Sequence, residues 1–206
     1  MITIGLIGGV ASGKSAVAQR FAANGAVILD ADRAGHLVLR EAAVIELLVA
    51  RWGEQILNET GEINRSAVAK IVFAASGEAE RQFLNSVTHP RIAARLEVQL
   101  NELREANCPA AVLDAALLLE AGWDRLCDQI VFVDVPQEQR LARARSRGWD
   151  AGELARREAT QLPLEEKKRR ATVCLDNSGS LSELETAVDA LAENWWHSSS
   201  ERRQPM

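Results

Sequence analysis

The feature that most constrains this chain is a loop near its N-terminus, Gly8-Gly9-Val10-Ala11-Ser12-Gly13-Lys14-Ser15. It matches the pattern G-x-x-x-x-G-K-[ST], follows the apolar run Ile2–Ile7 and precedes helix-forming residues. The first and sixth positions are glycines, which let backbone N–H groups turn inward and hold phosphate oxygens. The sequence therefore predicts a strand, a phosphate-binding loop (the P-loop) and a helix, in that order.

Residue types in the P-loop predict distinct chemical roles. The start of the next helix supplies a positive dipole end, Lys14 reaches the β- and γ-phosphates, and Ser15 ligates Mg²⁺. We predict that Lys14 is catalytic and that Ser15 is a metal ligand. The predicted nucleotide-binding residues here are Gly9, Val10, Ala11, Ser12, Gly13, Lys14, Ser15 and Ala16. The chain has no G-x-G-x-x-G pattern, which disfavours a dinucleotide-binding fold.

Size and charge bear on the number of domains and on the kind of ligand. A chain of 206 residues that is 47% hydrophobic can build one well-packed core. Its net charge of −5 disfavours a general nucleic-acid binder, but residues 138–170 carry ten Lys or Arg against six Asp or Glu. Such a basic segment suggests a small polyanionic ligand, with a solvated helical face as the alternative.

Cysteine usage and the N-terminus predict a cytoplasmic protein. Cys108, Cys127 and Cys174 form no C-x-x-C pair, which is typical of reduced thiols. The sequence begins without a signal-peptide pattern, and no apolar stretch is long enough to cross a bilayer. We expect small-molecule partners, no nucleic acid or membrane, and a monomer or weak homo-oligomer.

Short apolar runs alternate with helical stretches along the chain. Continuous apolar strands between helices predict a parallel sheet buried on both faces, here a three-layer α/β sandwich with a sheet of five strands. The predicted strands are Ile2–Ile7, Ala26–Leu29, Ala110–Leu113, Gln129–Val135 and Val173–Leu175. We predict one domain over residues 1–195, followed by a polar tail, 196–206. Its parts are a core (1–31, 108–137 and 171–195), a helical acceptor-binding insertion (32–107) and a helical lid (138–170).

Carboxylates follow the second and third predicted strands. The carboxyl ends of parallel strands face the ligand crevice, so Asp32 could accept a proton from an acceptor hydroxyl; capping of the next helix is an equal alternative. Asp114 ends the third strand, where P-loop enzymes often hold Mg²⁺ through water, and is a predicted metal residue. Glu120 lies further on and could equally be a surface carboxylate.

Other candidate acceptor residues lie in the predicted insertion. His36, one turn beyond Asp32, could face the same pocket or pack inside the insertion. His89-Pro90-Arg91 is predicted to interrupt a helix and present two polar side chains, with helix punctuation as the ordinary alternative. The predicted acceptor-binding residues are Asp32, His36, His89, Arg91, Leu118 and Glu120.

The predicted lid contains arginines with helical spacing. Arg140, Arg143 and Arg147 recur at i, i+3 and i+7, which places them on one helical face. Such a face can close over ATP and bring positive charge to the transferring phosphoryl group. A solvated face paired with local glutamates is the alternative.

Together, these motifs resemble the dephospho-coenzyme A kinase family, collinearly from about residue 2 to residue 195. The matching segments are Gly8–Ser15, Asp30–Asp32 with His36, His89–Ile92, Leu117–Glu120, Gln161–Lys167 and Asp176–Gly179. The resemblance implies phosphorylation of the ribose 3′-hydroxyl of dephospho-CoA by ATP with Mg²⁺. Alternatives are a P-loop kinase for another nucleotide, or a nucleotide-binding ATPase or switch protein.

The resemblance also implies roles for individual residues. Asp32 looks like the catalytic base, Arg140 and Arg143 like catalytic lid arginines, and Arg147 and Asn177 like nucleotide-binding residues. The family commonly has Pro-Leu-Leu-Phe-Glu after the third strand, where this chain has Ala-Leu-Leu-Leu-Glu at 116–120. Residues 146–150 also depart from the family pattern, which leaves open which arginine meets the phosphates.

Overall fold

A computed structural model describes residues 1–201, with side chains described to residue 196. The strands are β1 (Ile2–Gly8), β2 (Ala26–Asp30), β3 (Ala110–Asp114), β4 (Gln129–Asp134) and β5 (Val173–Asp176). The helices are α1 (Lys14–Ala23), α2 (Ala31–Val38), α3 (Ala42–Trp52), α4 (Arg65–Val72), α5 (Glu78–Glu105), α6 (Gln137–Arg145), α7 (Ala151–Glu158), α8 (Leu164–Arg170) and α9 (Leu181–Glu201). Short 3₁₀ turns span Glu54–Ile56 and Trp123–Leu126.

The strands form one parallel sheet of five strands in the order β2-β3-β1-β4-β5, as predicted. Every residue of β1 except the first is buried, because helices cover both faces of a parallel sheet. Leu6, Asp114 and Asp30 lie side by side in register across β1, β3 and β2. The carboxyl ends of these strands therefore meet at one edge of the sheet.

Helices α1 and α9 pack together through aromatic rings. Phe21 stacks on Trp195 and Trp196, with ring centroids 5.9 and 6.3 Å away, and the Trp196 indole donates to the Asn24 carbonyl at 2.9 Å. The adjacent tryptophans are thus packing residues. Helix α9 continues to Glu201, past the predicted end of the domain at residue 195, and residues 202–206 of the predicted tail lie outside the described residues.

The described residues divide into two compact units, residues 1–30 with 99–201, and residues 31–98. The first unit contains the sheet. The second has its own core of aliphatic side chains together with Trp52, whose indole meets the Phe83 ring edge-on at 5.6 Å and donates to Glu80 at 2.7 Å. In the same unit, Glu41 pairs with Arg95 at 2.8 Å and Arg91 at 3.7 Å.

The predicted helix break at Pro90 is wrong. Helix α5 is continuous through this position, although proline cannot donate a hydrogen bond to the carbonyl one turn earlier. Side chains supply donors nearby, because Arg91 donates to the Val87 carbonyl at 2.7 Å and Thr88 to the Leu84 carbonyl at 2.9 Å. The Arg91 guanidinium is therefore bonded to its own helix and is not presented by a helix break.

No helix in the described part of the chain combines the length and apolar character needed to cross a membrane.

Candidate active site

The P-loop has the left-handed backbone that its sequence predicts. Gly13 has a φ of 91°, and a methyl group there would collide with the Asn177 amide. Ala11 also has a positive φ, 62°, and the Ala16 and Val17 N–H groups donate to the Gly13 carbonyl at 2.9 and 3.2 Å. The loop leads directly into the positively polarised N-terminus of α1, the arrangement that binds phosphate in such loops. Ser15 is exposed in the first turn of α1.

The structure brings Arg143 and Asn177 together at the back of the P-loop. The Ser12 carbonyl accepts from the Asn177 amide at 2.8 Å and from Arg143 at 3.2 Å, and Arg143 also donates to the Asn177 carbonyl at 2.8 Å. Ser12 is fully buried, and its hydroxyl has no hydrogen-bond partner among the described residues. These bonds hold the loop between α6 and the turn after β5. The nucleotide roles of Arg143 and Asn177 stay predictions.

Charged groups converge on Lys14. Its ammonium donates to the Gly9 carbonyl at 3.2 Å. Burial, together with the positive charges of Lys167 and Arg147, lowers the pKa of Lys14 to about 8, although Asp114 and Glu120 oppose the shift. Four side chains from three parts of the chain therefore act electrostatically on the P-loop lysine. Sequence reasoning proposed every one of them except Lys167 as a site residue.

Lys167 is the functional-site residue that sequence reasoning missed. It is only 2% exposed, and its ammonium donates to the Gln161 side-chain amide oxygen Oε1 at 2.7 Å and to Glu120 at 3.3 Å. Burial lowers the pKa of Lys167 despite the opposing Glu120 charge. Helical spacing is the sequence signal that could have indicated its burial. Lys167 lies three residues after Leu164 and four before Ala171, on the less exposed face of α8.

Glu120 links this lysine to the segment before α8. The same carboxylate oxygen that pairs with Lys167 accepts from the Leu162 N–H at 2.6 Å, and the second oxygen is buried without a partner in the described residues. The alternative of a surface carboxylate is therefore wrong. Leu118 is fully buried, against Gly5 of β1, so the structure places this predicted acceptor residue in the core rather than at an accessible surface.

The predicted row of three arginines on one helix is wrong in its third member. Arg140 and Arg143 lie on α6, but that helix ends at Arg145, and Arg147 lies in the turn beyond it. Gly148, with a φ of 78°, closes the helix, because its N–H donates to the Arg145 carbonyl and the Trp149 N–H donates to the Ala144 carbonyl. The Arg147 guanidinium lies 5.9 Å from the centre of the Trp149 ring.

The tip of the P-loop packs against α6 and α7. Ala11 is buried in a small apolar cluster with Ala144 and Leu154, and Val10 and Trp149 pack at its edge.

On the outer surface, the arginines of α7 and α8 pair with glutamates one turn away, as the solvated-face alternative predicts. These pairs are Arg156 and Arg157 with Glu153, and Arg169 and Arg170 with Glu166.

Several predicted acceptor residues lie in the unit formed by residues 31–98. Asp32 and His36 are exposed in the first and last turns of α2, and Arg91 is partly buried on α5. His89 is also partly buried, and its burial lowers its pKa. The structure therefore groups these residues in one unit, and their acceptor roles stay predictions.

Comparisons with known proteins identify the family. The sequence model described as dephospho-CoA kinase matches residues 2–183 of this chain. The chain belongs to the dephospho-CoA kinase family. A dephospho-CoA kinase from Geobacter sulfurreducens is 40% identical over 193 residues, which cover 93% of this chain and 97% of the relative. One from Corynebacterium efficiens is 39% identical over 194 residues, covering 93% and 96%.

Solved structures of similar proteins have the same fold. TT1252 from Thermus thermophilus is 32% identical and superposes with a TM-score of 0.77 over 94% of this chain and 97% of its own. A dephospho-CoA kinase from Campylobacter jejuni superposes with a TM-score of 0.62 at 21% identity, over 94% and 96%. A dephospho-CoA kinase is a P-loop kinase that uses ATP with Mg²⁺. The left-handed backbone at Gly13, the charges that converge on Lys14 and the Ser12 hydroxyl, which has no partner among the described residues, fit a bound polyphosphate.

The depressed pKa of Lys14 predicts how this kinase binds ATP as pH changes. Phosphate oxygens favour the charged ammonium, so binding raises the pKa of Lys14 above about 8 and takes up a proton at higher pH. ATP affinity should change little near pH 7, begin to fall near pH 8 and then fall by up to about tenfold per pH unit at higher pH. Calorimetry at about pH 9 in buffers of different ionisation enthalpy should register this proton uptake.

The matched control for this pH dependence is Lys14→Arg, because a guanidinium stays charged throughout this range. Its ATP affinity, whatever its absolute value, should not change between about pH 8 and 9.5. The same flat profile in the unmodified protein would rule out titration of Lys14 in the binding step.

Proposed function

We propose that this chain transfers the γ-phosphate of ATP to the ribose 3′-hydroxyl of dephospho-CoA and so forms coenzyme A, the last step of coenzyme A biosynthesis. The observation that carries the proposal is the P-loop of a dephospho-CoA kinase family member, with Lys14 surrounded by Asp114, Glu120, Arg147 and Lys167. These charges lie where a triphosphate can bind, at the carboxyl edge of the sheet.

On the nucleotide side, the chain orients the triphosphate and stabilises its charge. Ser15 and Asp114 are the residues we propose to hold Mg²⁺, which would neutralise negative charge on the phosphate oxygens as it develops. Lys14 contacts the same oxygens, and Arg140 and Arg143 add charge from α6. Packing of Val10 and Ala11 against α6 and α7 limits access of water to the loop tip.

On the acceptor side, Asp32 is the proposed base. It is exposed, two residues after the end of β2, and His36 lies one turn further along α2 on the same face. An exposed carboxylate can orient the 3′-hydroxyl and accept its proton as the phosphoryl group transfers. We assign acceptor binding to residues 32–107 and the lid to residues 138–170. We further propose a cytoplasmic protein, monomeric or weakly associating, without nucleic-acid or membrane partners.

The direct test is an assay with ATP, Mg²⁺ and dephospho-CoA that measures both ADP and coenzyme A. We expect equal amounts of the two products. Asp32→Asn should lower kcat by about 10²–10⁴-fold, because it removes a general base, and leave ATP affinity unchanged. Glu193→Gln, which changes an exposed carboxylate on α9 outside the proposed acceptor and lid segments, is the control and should retain full activity.

Other outcomes would redirect the assignment. ADP without coenzyme A would indicate another acceptor or an ATPase, and a panel of nucleotide acceptors would separate those two possibilities. Normal turnover by folded Asp32→Asn would exclude this residue as the base.

A further inference from the structure

Arg140 is a buried charge with one ionic partner in the described part of the chain. The residue is 4% exposed, and its guanidinium pairs with Glu158, the last residue of α7. The Nε atom of Arg140 is buried and makes no hydrogen bond within residues 1–196. A buried guanidinium needs acceptors for its N–H groups, so this side chain retains capacity for another anion.

The Arg140 guanidinium lies directly on the P-loop. A methyl group at Gly9 would lie only 2.8 Å from the Nη1 atom of Arg140 and 3.0 Å from its Cζ. Glycine at this position is therefore required for the contact. A cavity of about 160 Å³ adjoins the P-loop at Gly9. Its lining residues are Gly9, Glu158, Gln161, Leu162, Pro163 and Leu164. Glu158 and the loop thus border the same space.

Two anions can therefore compete for one arginine. A phosphate held by the P-loop would be an acceptor for Arg140, and the Glu158 carboxylate beside the same cavity would repel that phosphate. Separating Arg140 from Glu158 leaves the carboxylate free to turn toward solvent, because its side chain is 30% exposed. The arginine has no such freedom, because it is buried against Gly9.

We propose that Glu158 is a positioning residue that holds Arg140 across Gly9 until the nucleotide phosphates take its place. The carboxylate keeps the arginine in the geometry needed for phosphate contact and stabilises the protein before nucleotide binds. It also weakens ATP binding, because the ion pair must be exchanged. This inference rests on the proposed use of ATP but not on the proposed acceptor.

The test compares Glu158→Gln with Glu153→Gln. Glu153 lies on the same helix and pairs with two arginines at the surface, so its replacement removes the same charge without touching Arg140. Glu158→Gln should tighten ATP binding on the order of tenfold, measured by calorimetry, because a nearby negative charge is removed. The KM for ATP should fall with kcat unchanged within about twofold. Glu153→Gln should leave both values unchanged.

Thermal unfolding separates this role from a merely structural one. Without nucleotide, Glu158→Gln should have a lower Tm than the unmodified protein, because Arg140 is then buried without a counter-ion. With saturating ATP the two Tm values should converge, so the stabilisation by ATP is larger in the variant. Glu158→Asp, which keeps the charge, should return ATP affinity toward the original value.

Two results would overturn the inference. One is an equal Tm deficit with and without ATP together with unchanged or weaker ATP binding, which would make the ion pair purely structural. The other is an equal gain in affinity for adenosine, which has no phosphate to compete with Glu158.

Discussion

Replacing Lys14 with methionine should lower kcat for phosphoryl transfer by about 10²–10³-fold, the effect of removing one preorganised charge at a transition state. Methionine keeps the length and apolar stem of lysine but cannot stabilise negative charge on the β- and γ-phosphates. The fold should persist, because the lysine ammonium donates its hydrogen bond to the loop itself, at the Gly9 carbonyl. Coenzyme A formation under saturating ATP and acceptor measures the loss, and circular dichroism checks the fold.

Lys70→Met is the control for that experiment. Lys70 is an exposed lysine in the last turn of α4, so its replacement removes the same charge far along the sequence from the P-loop. It should leave kcat unchanged. A Lys14→Met protein that retains normal kcat would exclude Lys14 from the chemical step, whatever its effect on ATP affinity.

Lys167→Met should lower the free energy of unfolding by about 3–5 kcal/mol, because it leaves the Glu120 carboxylate buried without its cation. Glu120 already has one buried oxygen without a partner in the described residues, so the loss of Lys167 cannot be compensated there. Urea denaturation of purified protein, followed by circular dichroism, measures this difference.

Two further variants show whether an uncompensated charge is the cause. Lys168→Met removes the neighbouring lysine, which is exposed and pairs with Asp134 at 2.7 Å, and should cost about 0–1 kcal/mol. The double variant Lys167→Met with Glu120→Leu should recover much of the loss, because it removes both charges together. A double variant that is as unstable as the sum of its single changes would contradict an interaction between these residues.

The sheet and the P-loop could be predicted because their signals are local. Each strand is a short apolar run between helical stretches, and observed strand ends differ from predicted ones by a single residue. The P-loop pattern specifies backbone geometry directly, since Gly13 has the positive φ that its position requires. Tertiary packing adds little to either inference.

The errors concern positions where a tertiary or side-chain contact outweighs local preference. Pro90 predicts a break, but donors from Arg91 and Thr88 to carbonyls of the preceding turn accompany an unbroken helix. Arg147 has the right spacing to continue α6, but Gly148 ends the helix before it. Lys167 belongs to a run of four basic residues, and apart from its helical spacing only packing distinguishes it from the three exposed ones.

The order of strands also bears on how enzymes of this kind can diversify. Residues 31–98 form a compact unit that begins directly after β2. The next strand along the chain is β3, which pairs with β2 in the sheet. A segment of another length or shape can be exchanged between these two strands without altering strand order or the P-loop. With acceptor binding assigned to residues 32–107, as proposed above, such an exchange would change the molecule that is phosphorylated and keep the loop that binds the phosphate.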